Sequence, residues 1–282
     1  MNVQELVRSV KNLPSPPKVL LRLLDVVRNP DNGSDQVLEV LQIDPALTAE
    51  VMRVSNSAYF SANPAGSLEE AVARLGYVEV YRIAARIPAG EMLSGSIETL
   101  GLAAGELWQH SVACAIIADE LGKRLDLPEG TAYTAGLLHD IGKLVLRESA
   151  GNDYTRVFTL VEAEQVTLDQ AERTVFGYDY AEIGGALLEE WKFPAELHNA
   201  IRFQNNPAAC PEPRVLAAII LVANWLAAVI GCNHGRDVWA INIDDSVTKL
   251  VDLQSEDVDR LILTTNKRLR AAQDFLAASP TF

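Results

Sequence analysis

Several features that would mark a secreted, membrane-bound or nucleic-acid-binding protein are missing from this sequence. Its three cysteines, Cys114, Cys210 and Cys232, lie far apart, and no CxxC occurs. That spacing argues against a disulfide framework and fits reduced, buried thiols in a cytoplasmic protein. Positive charge is scarce: 24 Lys and Arg face 38 Asp and Glu, for a net charge of −14, and no basic cluster stands out. Such a chain repels phosphate backbones and anionic lipid, so neither nucleic acid nor a membrane surface is expected as a partner. The first residues, MNVQELVRSVKNLPSPP, lack the charged-then-apolar order of a signal peptide. Strand-like alternation is nearly absent, and neither an internal repeat nor a receiver-type βα pattern is visible. One run, Val215 to Cys232, holds 18 uncharged residues and has the length of a candidate membrane span. It is Ala-rich, interrupted by Asn224 and short of the roughly 20 residues a span usually needs, so it reads as the central buried helix of a helical domain.

What the chain does have is helical periodicity throughout. Lys18 to Arg28 places Leu20, Leu23, Leu24 and Val27 on one side, after the stiff LPSPP segment from Leu13. Turn chemistry at Asn29 to Gly33 leads to a helix from about Asp35 to Ile43, with Ser34 as its cap. Asp44-Pro45 opens a third helix through Val54, and Ser67 with Glu70 forms a capping box for a helix that ends at Gly76. An apolar segment runs from Val78 to about Ile87. Pro88 to Gly105, rich in Gly and Ser, reads as the seam between two lobes, 1–95 and 96–282. The second lobe continues with Leu107 to Leu125, one or two helices from Tyr154 to Phe176, then Ala181 to Trp191, Glu196 to Phe203, Val215 to Ile230 and Glu256 to Ala278. The fold class predicted is all-α, in two helical lobes.

The chemistry concentrates in Thr131 to Leu146, TAYTAGLLHDIGKLVL. Leu137, Leu138, Ile141, Leu144 and Val145 recur at helical spacing, which predicts one continuous helix with a buried stripe around His139 and Asp140. An ionised carboxylate there is costly unless it is paired, hydrogen-bonded or bound to a metal. Adjacent residues on a helix point about 100° apart, so one ion could reach both side chains only from the flank, with further ligands from other helices.

Three N-terminal fragments, LPSPPKVLLRLLDVVRNP, IDPALTAEVMRVSNSAYF and SLEEAVARLGYVEV, resemble the first half of the HDOD family. Four more, WQHS, AGLLHDIGKL, GYDYAEIGGALLEEWKFP and AIRFQNNP, resemble its second half. The likeness runs in order from about Leu13 to Asn224. It implies an HD-like C-terminal lobe and kinship with metal-dependent phosphohydrolases, in a family regarded mainly as a bacterial signalling module. The HD pattern is a His, a His-Asp pair and a distant Asp. His110, His139 and Asp140 match the first three, a remnant metal site, while Asn224 stands where the distant Asp is expected. Tyr180 and Gln204 stand where the resemblance leads one to expect histidines.

Exchanging a carboxylate for an amide removes a negative charge and leaves a weaker donor, whereas a hydrolytic ion must be held firmly with a coordination position open. The expectation is a non-catalytic signalling module that binds other signalling proteins (a kinase, receiver domain or regulator), with a nucleotide or cyclic dinucleotide as a second class of ligand. No cofactor is expected, although a divalent metal is what the remnant could take. The alternative is a divalent-metal phosphohydrolase acting on a nucleotide or phosphodiester. The plainer reading of His110, His139 and Asp140 is a buried polar cluster joining two helices. Lys143 reads as a solvated charge, His198 and His234 as ordinary histidines, and Trp108, Trp191 and Trp225 as packing residues.

Overall fold

The computed structural model describes residues 2–9, 18–29, 34–42, 45–57, 60, 65–93, 95–97, 100–149, 153–211, 213–232 and 243–277. In chain order the helices are α1 Val3–Ser9, α2 Lys18–Arg28, α3 Ser34–Gln42, α4 Pro45–Ser55, α5 Leu68–Leu75, α6 Tyr77–Leu93, α7 Glu106–Arg124 and α8 Thr131–Leu138. They continue with α9 Gly142–Ser149, α10 Tyr154–Glu164, α11 Leu168–Phe176, α12 Tyr180–Glu190, α13 Ala195–Arg202, α14 Arg214–Val229, α15 Asp245–Leu250 and α16 Ser255–Ala277. Extended pairing among the described residues is limited to an isolated antiparallel bridge between Ile97 and Leu102. The protein is all-α. The segment Leu13–Pro17 and residues Asp44, Ala58, Tyr59 and His234 lie outside the described residues.

Two compact units make up the chain: Ser15–Gly90 with Pro128–Thr131, and Met1–Pro14 with Glu91–Leu127 and Ala132–Phe282. In the smaller unit, Leu20, Leu23 and Leu24 of α2, Val37, Val40 and Leu41 of α3, and Val51 of α4 are all buried, following the three- and four-residue spacing of their helices. α5 is delimited as its sequence predicts. Ser67 Oγ accepts from the Glu70 N–H at 3.2 Å, and Glu70 Oε2 reaches back to the Gly66 N–H at 2.8 Å. Gly76, at φ 75°, closes the helix by donating to the Val72 carbonyl. The segment from Pro88 begins inside a helix, because α6 runs through Pro88 to Leu93. A proline removes one helical hydrogen bond but need not end the helix, and Ala89, Glu91, Met92 and Leu93 after it favour continuation.

The larger unit is built around α7, which α14 and α16 flank. α14 carries the apolar run suspected of spanning a membrane. Its residues Leu216 to Asn224 are all buried, so it is apolar on every side because it is covered on every side. No helix among the described residues is long and apolar enough to cross a membrane. Tyr154 to Phe176 forms two helices rather than one, separated where Gln165 takes a left-handed conformation at φ 55°.

The predicted continuous helix over Thr131–Leu146 is instead two helices. α8 ends at Leu138, a turn spans His139, Asp140 and Ile141, and α9 starts at Gly142. The physical reason lies in two side chains that take carbonyls a continuous helix would use. His139 Nδ1 lies 2.8 Å from the Gly136 carbonyl, and Gln204 Nε2 donates to the His139 carbonyl at 2.8 Å. The backbone tightens to three-residue bonding, with Ile141 N–H donating to Leu138 and Lys143 N–H to Asp140, both at 3.0 Å. Two glycines let this corner pack closely. A Cβ on Gly136 would sit 2.7 Å from the Cys114 carbonyl oxygen and 2.8 Å from Ala115 Cα, so α8 lies against the backbone of α7. A Cβ on Gly142 would fall on the Tyr180 carbonyl, which places α9 directly against α12.

Candidate functional site

The turn brings together the three residues singled out from the sequence. His110 projects from α7 and His139 from the end of α8, with their Nε2 atoms 3.2 Å apart. Asp140 Oδ2 lies 3.4 Å from His139 Nε2 and 3.7 Å from His110 Nε2. All three residues are buried. The outward nitrogens fix the ring roles. His110 Nδ1 is 3.3 Å from the Cys232 carbonyl and His139 Nδ1 is 2.8 Å from that of Gly136. A carbonyl only accepts, so each Nδ1 carries a proton and each ring turns its Nε2 inward.

Two further residues belong to the cluster. Cys114, one turn beyond His110 on α7, sets its Sγ 3.4 Å from His110 Nε2. Its spacing from His110 is readable in the sequence, where it reads as a plain buried thiol. Lys143 donates to Asp140 Oδ2 at 2.8 Å and is 1% exposed. The expectation that Lys143 is a solvated charge is therefore wrong. Its stem is buried, and its Nζ stands 4.7 Å from the centre of the Tyr180 ring, within cation–π range.

These neighbours set the protonation states. Burial pushes the Asp140 carboxyl up, but His139, Lys143 and His110 outweigh it and hold it well below the usual carboxylate range. Burial pulls His139 itself down, against the opposing pull of Asp140, and so favours its neutral form. The Lys143 ammonium, at 2.8 Å, is the group in direct contact with the Asp140 carboxylate. The Cys114 thiol is pushed well up, by burial first and then by Asp140.

The residues that depart from the HD pattern have work of their own. Gln204 Nε2 bonds the carbonyls of His139 and Ile201, at 2.8 and 3.0 Å, and so pins the turn. Tyr180 covers the Lys143 ammonium, and its hydroxyl donates to Asn205 Oδ1 at 3.1 Å. Its own N–H donates to Glu172 Oε2 at 2.7 Å, and Glu172 Oε1 accepts from the Tyr154 hydroxyl. Glu172, which nothing in the sequence distinguishes from a surface carboxylate of an amphipathic helix, is 0% exposed. Asn224 is 4% exposed on α14, and its Oδ1 has no hydrogen-bond partner among the described residues. His198, on α13, is partly exposed.

A hard hydrolytic cation fits this set poorly. Such ions are held mainly by carboxylate oxygens. Asp140 Oδ2 is already engaged by Lys143, Asp140 Oδ1 has no hydrogen-bond partner among the described residues, and the second carboxylate of the pattern is the amide of Asn224.

Comparison with known proteins places these features in context. The family model of the HDOD domain matches residues 13–207. A crystal structure of an HDOD domain protein of unknown function from Geobacter sulfurreducens is 27% identical, with a TM-score of 0.68, covering 96% of this chain and 93% of that one. A protein of Shewanella amazonensis SB2B, whose name proposes a phosphohydrolase, is 29% identical with a TM-score of 0.68, covering 94% of this chain and 97% of that one. An uncharacterised protein of Treponema pallidum (strain Nichols) is 27% identical over 220 residues, which are 76% of this chain. The chain spans 42% of the length of that relative.

Proposed function

The chain belongs to the HDOD domain family, and from that premise we propose that it is a non-catalytic regulatory module acting through contacts with other signalling proteins. The observation that carries this reading is the buried ion pair of Lys143 with Asp140, 2.8 Å apart with both side chains sealed from solvent. The carboxylate of the His-Asp pair is held by a lysine ammonium from the first turn of α9, where a hydrolytic site needs a metal with an open position. Asn224 in place of a second carboxylate works in the same direction. The partner class is a kinase, a receiver domain or a regulator, with a nucleotide or cyclic dinucleotide as a second class of ligand. Binding transmits a signal only if the partner favours one conformation of the module over another.

The second reading is a divalent-metal phosphohydrolase, favoured by the inward-facing imidazoles of His110 and His139 and by the name of the Shewanella relative. Turnover assays across nucleotides, phosphomonoesters and cyclic dinucleotides with Mn²⁺, Mg²⁺, Zn²⁺ and Fe²⁺ separate the two. The regulatory reading expects none above background. Metal-dependent turnover that vanishes in a folded Asp140→Asn variant would replace it with the second. A protein pull-down and a nucleotide-binding screen that both came back empty would also count against the regulatory reading.

A further inference from the structure

Cys114 gives the histidine pair a third donor. Its Sγ is 3.4 Å from His110 Nε2, the two Nε2 atoms are 3.2 Å apart, and the three donor atoms all lie within 4.8 Å of one another. In a tetrahedral site with Zn–N of about 2.0–2.1 Å and Zn–S of about 2.3 Å, neighbouring donors stand about 3.3–3.6 Å apart. The nitrogen pair and the sulfur–nitrogen contact are already near that spacing. Each imidazole also turns Nδ1 to a backbone carbonyl, the outer hydrogen bond that orients a ligating histidine. With both Nδ1 atoms turned to carbonyls, the two Nε2 atoms converge with Cys114 Sγ on one buried point, where a shared proton or a cation can bridge them.

We propose that His110 Nε2, His139 Nε2 and Cys114 Sγ form a binding site for a zinc-type divalent cation, with Asp140 held outside the ligand set by Lys143. Two imidazoles and a thiolate suit Zn²⁺ and its probe Co²⁺, and do not suit Mg²⁺ or Mn²⁺. On binding, the S–H bond of Cys114 gives way to a sulfur–metal bond and the thiol proton passes to solvent. Three protein ligands leave a fourth zinc position open, so metal binding does not by itself decide between the two readings above, which the turnover assays and partner binding separate.

The test uses the full chain, reduced and prepared without chelator, titrated with Co²⁺. The expected result is a thiolate-to-cobalt charge-transfer band in the near ultraviolet that saturates at one cobalt per chain. Zn²⁺ should abolish it and excess Mg²⁺ should not. Cys114→Ala should lose the band and lower Zn²⁺ affinity by at least about 100-fold, beyond the loss typical when an outer partner of a ligand is removed. Cys210→Ala should keep it. Wild-type protein without the band, or a band that survives Cys114→Ala, would overturn the proposal. If Cys114→Ala does not fold, the wild-type band, its competition by Zn²⁺ against Mg²⁺, and a Cys114→Ser variant decide the matter in the same terms.

Discussion

Asp140 and Glu172 are both sealed from solvent in the same unit, yet their carboxyl groups are driven in opposite directions. Asp140 has His139, a lysine ammonium at 2.8 Å and His110 around it, and together they hold it well below the usual carboxylate range. Glu172 has the Tyr154 hydroxyl and the Tyr180 N–H, both neutral donors, and burial, with Asp179 adding to it, pushes it up to about 8. Hydrogen bonds alone do not offset the loss of water around a buried carboxylate, whereas a contacting cation does. The unit thus keeps one carboxylate ionised and the other neutral near pH 7. Only the ionised one sits beside the histidines.

The largest effect should come from breaking the ion pair. Asp140→Ala leaves the Lys143 ammonium buried without its carboxylate and should lower unfolding stability by about 3–5 kcal/mol in urea titrations. A loss under about 1 kcal/mol would erase the contrast, since an exposed pair loses no more than that.

Glu172→Gln should act through pH. The folded acid titrates at about 8 against an ordinary 4.5. Its raised value contributes stability that is full below about 4.5 and lost as pH rises to about 8, by at most about 1.4 kcal/mol per pH unit. The Gln variant, fixed in the neutral form, should flatten the stability profile across that window. Asp140 has the opposite sign. Its contribution is present above the ordinary carboxylate value and is lost only as pH falls through its depressed one, so Glu172→Gln should leave the acid limb unchanged. A slope that persists in Glu172→Gln would assign it to another group.

The smallest effect should come from Tyr154→Phe, which removes one donor from Glu172. It should cost about 1–3 kcal/mol and move the upper end of the pH window higher, because a donor that favours the ionised form is gone. A window moved lower would mean that the phenol acts mainly as acceptor to the neutral acid.

What the sequence disclosed follows the range of each interaction. The limits of α5 were legible because Ser67, Glu70 and Gly76 act on their own helix end. The buried reading of α14 was legible from its composition, and the assembly of His110, His139 and Asp140 came from a resemblance spread over most of the chain. The break after Leu138 was not legible, because one of its two causes is Gln204, far along the chain, and the apolar pattern itself continues through the turn. Lys143 was misread for a related reason. Its partner Asp140 is three residues away, but its burial depends on Tyr180, which comes from α12. Glu172 left no trace, since nothing local separates a carboxylate that will be buried from one that will not. Cys114 lies four residues after His110, but an apolar setting already accounts for a buried thiol, so the spacing alone does not single out its contact with His110 Nε2.

The central claim is that Lys143 is the cation of Asp140. A double-mutant cycle in urea, with Asp140→Asn, Lys143→Met and the two combined, tests it most directly. The account predicts that the double variant is more stable than the sum of the single losses allows, with a coupling of about 1–3 kcal/mol. Losses that add to within about 0.5 kcal/mol would contradict it and leave the carboxylate free for another cation.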